Sequence, residues 1–133
     1  MKATARRIGN AFTHRLEIRG HELTVDEPNE QGGDDEGPTP QELLAGSLAS
    51  CVAITVEMYA RRKGWDIGPV EVECEYAMAE RGAPTHFNLV LRLAGTCSEE
   101  QLERLKVIAG KCPVHRTLEG GVTFDERAER TLS

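Results

Sequence analysis

Two cysteines carry the most chemical meaning in this chain: Cys51, in the run Leu48-Ala-Ser-Cys51-Val-Ala, and Cys112, in Gly110-Lys-Cys112-Pro-Val-His-Arg. They stand 61 positions apart, so any contact between them must be made by the fold. Brought together they would form a dithiol/disulfide couple and make the protein a thiol redox enzyme. The other two cysteines have simpler readings. Cys74 falls on the apolar side of an alternating run, Val70-Val72-Cys74-Tyr76-Met78, where a free thiol behaves as a small hydrophobe. Cys97 directly precedes Ser98 and can pack on Leu102 as a hydrophobic staple. No pair has the C-x-x-C spacing of a redox or zinc motif. A metal site built on Cys112, His115 and another cysteine lacks a compact ligand set, and no cofactor is called for.

The surroundings of the two key thiols differ. Cys112 occupies the N-cap position of a short helix whose first residue is Pro113. Orphan N–H groups and the positive end of a helix dipole stabilise a thiolate there. Lys111, His115 and Arg116 add positive charge nearby. Cys51 lies in the middle of an apolar helix, where a buried thiol is inert unless a cation or hydrogen-bond donor reaches it. Arg15 and Arg19, on the polar side of their strand, are the candidate cations.

The elements that must position these residues follow from periodicity. A first strand is expected over Ala3–Ile8. Phe12, His14, Leu16 and Ile18 alternate with polar residues, Arg19-Gly20 turns the chain, and Leu23 and Val25 continue a second run, which predicts an antiparallel hairpin. Residues 26–39 are acidic and rich in Gly and Pro, the composition of a solvated, mobile surface connector, with a flap near an active site as the alternative. Thr39 as N-cap, Pro40 at the first helical position and Glu42 at the third predict a long helix running to about Lys63 and stopping at Gly64. Its middle is apolar all round and must be covered on every face, so a second subunit is a source of that cover. Two further strands, Val70–Met78 and Phe87–Leu93, form another antiparallel pair with one wet face. Ser98-Glu-Glu-Gln101 is a capping box opening a helix that ends near Gly110. A short helix, Val114–Leu118, and a final strand, Val122–Phe124, complete a β-β-β-α-β-β-α-α-β order, which is an α+β pattern.

Composition sets the frame. The 133 residues suit one domain, 1–133, able to bury roughly two-thirds of its unfolded surface. The net charge of −6 argues against general nucleic-acid binding. No charged-then-apolar leader opens the chain. The stretch Leu43–Ala60 contains Ser47, Ser50, Thr55 and Glu57 and reads as a buried helix, not a membrane span. A cytoplasmic protein with free thiols is expected.

The run Gly37-Pro-Thr-Pro-Gln-Glu-Leu-Leu-Ala-Gly-Ser-Leu-Ala-Ser-Cys51 resembles the first cysteine motif of the OsmC/Ohr family, and Cys112-Pro-Val-His-Arg-Thr-Leu118 resembles the second. Met58-Tyr-Ala-Arg-Arg-Lys-Gly-Trp65 resembles the OsmC-like branch. The resemblance implies an α+β fold in which antiparallel sheets wrap long central helices of an intertwined homodimer. It implies thiol-dependent reduction of organic hydroperoxides in oxidative-stress defence. Cys51 would attack the peroxide and become a sulfenic acid; Cys112 would resolve it to a disulfide; an external dithiol, of lipoyl type for some relatives, would reduce the pair. Ohr-type members activate the attacking thiol with an arginine and a glutamate. Here Gln41 stands ten residues before Cys51, and Glu42 beside it is the acidic residue typical of the OsmC-like branch. In an ideal helix Glu42 lies about half a turn round from Cys51, so it can instead serve the helix start. The stretch Leu23-Thr-Val-Asp-Glu27 lacks the arginine that OsmC proper carries, which leaves Arg15 or Arg19 as the candidate activator. The alternative is a non-enzymatic redox sensor or apolar-ligand binder on the same fold, its cleft lined by Leu44, Leu48 and Met58.

Overall fold

The structure is a computed structural model, described over residues 1–131. Strands β1 (Ala3–Arg7), β2 (His14–Ile18) and β3 (His21–Val25) are followed by helix α1 (Pro40–Lys63), strands β4 (Val70–Tyr76) and β5 (Phe87–Leu93), and helices α2 (Glu99–Ala109) and α3 (Pro113–Glu119). This is an α+β order with antiparallel sheets. The chain falls into two compact units: Met1–Ser47 with Cys74–Asn88, and Leu48–Glu73 with the chain from Leu89 onward.

In the first unit β1, β2 and β3 form an antiparallel meander. Leu16 pairs with Ala5 on one side and Leu23 on the other. Arg19 and Gly20 both take positive φ, 50° and 82°, the conformation of a tight two-residue hairpin turn. β1 stops at Arg7, one residue earlier than expected. The Ile8 N–H donates to the Thr13 carbonyl at 2.9 Å and closes the connection to β2, leaving Phe12 outside the strand.

The acidic segment 26–39 is more ordered than its composition suggests. Its first residue, Asp26, is buried. The carboxylate accepts from the Thr13 hydroxyl at 2.7 Å and from the N–H groups of Glu27 at 2.7 Å and Glu36 at 3.2 Å. Burial works against its charge, but these donors, with the Asp34 N–H, outweigh burial and hold its pKa below the ordinary aspartate value. The loop also holds a one-turn helix at Asn29–Gln31. At Gly33 an added Cβ would run into the Glu27 backbone, so only glycine permits that approach. The segment is a surface connector, exposed at most positions, that folds around one satisfied buried charge.

The second unit holds the core. Leu48, Val52, Val56 and Ala60, four residues apart, form one buried stripe of α1, packed in a core with Ile67, Leu105, Ile108 and Cys112. The outer side of the same helix stays open in the single chain: Ile54 is 57% and Met58 61% exposed. Among the described residues α1 is the one helix long and apolar enough to cross a membrane by length and composition. Gly64, at φ 71°, ends it.

β4 and β5 pair in a two-stranded sheet. Arg92 reaches Glu71 and Glu73 at 3.1 and 3.3 Å, and Tyr76 packs on Phe87 with ring centroids 4.6 Å apart. Those contacts match an antiparallel order. Ser98 and Gln101 form the expected capping box at α2. The expected strand Val122–Phe124 does not form. The segment is irregular, with Val122 54% and Phe124 79% exposed. A strand exists only as one side of a ladder, and three alternating residues after Gly120-Gly121 specify no partner.

Candidate functional site

Cys51 and Cys112 belong to the same unit, and the fold brings their thiols together. α1 places Cys51 one residue before the buried Val52, at the edge of the buried stripe, where it is half-buried. Both residues are free thiols.

The junction between α2 and α3 places Cys112. Gly110 and Lys111 turn the chain with bonds back to Val107 and Ile108, and Cys112 follows with extended backbone, φ −64° and ψ 147°. Pro113 then starts α3. The Cys112 sulfur caps that helix by accepting the His115 N–H at 3.3 Å. The residue is fully buried.

The electrostatics reverse what the helix start alone suggests. The pKa of Cys112 is raised above the ordinary thiol value. Burial is the largest cause. The His115 and Val114 N–H groups pull the other way, as an N-cap should, but the hydrogen bond and like charge of Cys51 add to burial and the sum is upward. Helix α3 has seven residues and provides a weak dipole against full desolvation. His115, expected to lend positive charge, is half-buried, with Nδ1 against the Glu119 carboxylate one turn along. Cys112 thus holds its proton more firmly than an ordinary thiol. Cys74 is also raised, by burial, as its strand position implies.

The other candidate residues have defined places. Glu42 is part of a capping box: its Oε1 accepts the Thr39 N–H at 2.9 Å, and the Thr39 hydroxyl accepts the Glu42 N–H at 3.1 Å. Its carboxylate is thereby engaged at the start of α1. Gln41 makes different contacts: its amide donates to the Met78 sulfur at 3.0 Å, and its carbonyl accepts the Tyr76 hydroxyl at 2.8 Å. Arg15 is exposed on β2, opposite Arg6 and Thr24, with its Nε 3.6 Å from the Glu22 carboxylate. Arg19 holds the turn. Asp26 escaped sequence reasoning. Its signal was its position, an acidic residue directly after β3, yet nothing local predicts Thr13 as its partner.

The first unit also contains an apolar cavity of about 570 Å3, lined by Phe12, Leu16, Val25 and Leu43 with Ala5 and Pro40, and with His14, Asp26 and Glu27 as its polar groups.

Solved structures share this fold. A protein described as an osmotic-stress-induced and detoxification-response protein, from Psychrobacter arcticus 273-4, superposes with a TM-score of 0.76 at 22% identity, over 88% of this chain and 87% of that one. An OsmC-like protein from Mycoplasma pneumoniae gives 0.71 at 20% identity, over 90% and 89%. The organic hydroperoxide resistance protein OhrB of Bacillus subtilis gives 0.61 at 22% identity, over 90% of each chain. Comparison with curated proteins gives no significant match. The family model described as OsmC-like protein matches residues 33–127, which include both cysteine motifs. The chain belongs to the OsmC-like family.

Proposed function

We propose that the protein is a thiol-dependent hydroperoxide reductase with Cys51 as the attacking and Cys112 as the resolving thiol. The observation that carries this reading is the pairing of two free thiols, one of which, Cys112, is buried and held protonated. The Cys51 thiolate attacks the distal peroxide oxygen. The O–O bond breaks, the alcohol leaves with a proton, and Cys51 becomes a sulfenic acid. Cys112 then forms the S–S bond, and its proton leaves with the sulfenic hydroxyl as water. An external dithiol reduces the disulfide by exchange. The organic hydroperoxide resistance for which OhrB of Bacillus subtilis is named supports the substrate class.

The same proposal includes a homodimer, in which a second copy covers the Ile54 and Met58 side of α1, and a cytoplasmic role in oxidative-stress defence. Arg15 and Glu42 enter it as auxiliary groups only, since Glu22 and the helix cap engage them. The test is peroxide consumption with a dithiol and with a monothiol as reductant, on wild type, Cys51→Ser and Cys112→Ser. Cys51→Ser is expected to be inactive, and Cys112→Ser to stop after one turnover unless a monothiol resolves it. A second reading, an apolar-ligand binder, draws on the 570 Å3 apolar cavity. It gains if peroxide is not consumed while an apolar ligand raises the melting temperature.

A further inference from the structure

Away from the two cysteines, the last turns of α1 and the first turns of α2 border a concavity of about 620 Å3. Its wall holds an aromatic pair: Tyr59 and Trp65 meet edge to face with ring centroids 5.6 Å apart. Two cations converge on one of these rings. The Arg104 guanidinium lies 5.6 Å and the Lys63 ammonium 5.7 Å from the Tyr59 centroid. Arg104 Nε also donates to the Tyr59 hydroxyl at 3.0 Å, which ties the guanidinium to the wall.

The remaining polar groups of the wall are mostly occupied. Ser98 and Gln101 bond each other in the α2 capping box, and Glu103 faces Lys106 at 3.9 Å. Among the described residues neither Lys63 nor Arg104 has a carboxylate partner, and the one unpaired acid of the wall is Glu100. Glu100 and Glu103 balance the wall as a whole, but Lys63 and Arg104 concentrate positive charge at the Tyr59 ring. Tyr59 registers it: the Arg104 hydrogen bond outweighs burial and, with the charges of Arg104, Lys63 and Lys111, holds the phenol below its ordinary pKa. The η nitrogens of an arginine held through Nε form a fork that matches a carboxylate.

We propose that this concavity binds a small organic anion that joins a carboxylate to an aromatic ring, with Arg104 and Lys63 holding the carboxylate and Tyr59 and Trp65 the ring. Neither Cys51 nor Cys112 takes part, so the site stands apart from the peroxide chemistry.

Trp65 is the only tryptophan of the chain, so its fluorescence reports this site alone. Titration with phenylacetate is expected to give a saturable change. The neutral phenylacetamide and inorganic phosphate should each bind at least tenfold more weakly. Arg104→Gln and Lys63→Gln, checked for native circular dichroism, should each weaken phenylacetate binding, Arg104→Gln at least tenfold. If Arg104→Gln does not fold, Lys63→Gln carries the test with a loss of threefold or more. No saturable change with phenylacetate, an equal response to phenylacetamide or phosphate, or undiminished affinity in the folded variants would overturn the proposal.

Discussion

At the scale of single residues, a helix N-cap does not by itself make a thiolate. Cys112 has the N–H donors that sequence reasoning assigned it, and burial outweighs them. The shift has a consequence for stability. Above the ordinary thiol value of about 8.5, the unfolded chain has lost a proton that folded Cys112 still holds. The contribution of Cys112 to stability is therefore complete below that pH and declines as pH rises through the raised folded value. A melting series from pH 7 to about pH 10 should fall more steeply for wild type than for Cys112→Ser; parallel curves would contradict the shift. Asp26 has the opposite sign. Its folded pKa is depressed, so its contribution is present above the ordinary aspartate value of about 3.9 and is lost as pH falls through the lower folded value. Asp26→Asn should flatten the acid limb of the stability curve, and an unchanged limb would show that the loop does not depend on this charge.

At the scale of elements, signals complete within a few residues are legible in the sequence. The α1 start follows from Thr39-Pro40-Gln41-Glu42 and the α2 start from Ser98-Glu-Glu-Gln101, because capping boxes are complete within four residues. The hairpin at Arg19-Gly20 is local in the same sense. What escaped depends on distant partners. Asp26 is fixed by Thr13, thirteen residues earlier, Tyr59 meets Arg104 across 45 residues, and Val122–Phe124 needed a ladder that its own residues do not specify. The two cysteines show both sides. Their motifs were legible, whereas the raised pKa of Cys112 was not, because burial is a property of the packed unit. The capping boxes also separate two roles for Glu42. Gln101 fills the same third position in α2, so Glu42→Gln retains a cap worth about 1 kcal/mol and removes only the charge. The expected outcome is an unchanged melting temperature and peroxide turnover within about threefold; a fall of more than tenfold at constant stability would give Glu42 a direct part in activating Cys51.

At the scale of the whole molecule, α1 is the feature that one chain leaves incomplete. One stripe, Leu48-Val52-Val56-Ala60, is buried, and the side bearing Ile54 and Met58 is open. Large apolar side chains left open on a long helix mark an interaction surface. A second copy is the cover proposed here. Sedimentation of wild type should give a dimer, and Ile54→Glu should shift it toward monomer with loss of thermal stability. A monomeric wild type at micromolar concentration would remove the homodimer from the account.

The central claim is that Cys51 and Cys112 form one redox couple with Cys51 attacking first. Peptide mapping after a single equivalent of organic hydroperoxide tests it directly. Wild type is predicted to yield a Cys51–Cys112 disulfide, and Cys112→Ser a Cys51 sulfenic acid trapped by a dimedone-type reagent. A reduced Cys51 after peroxide is consumed, or oxidation that falls first on another cysteine, would contradict it.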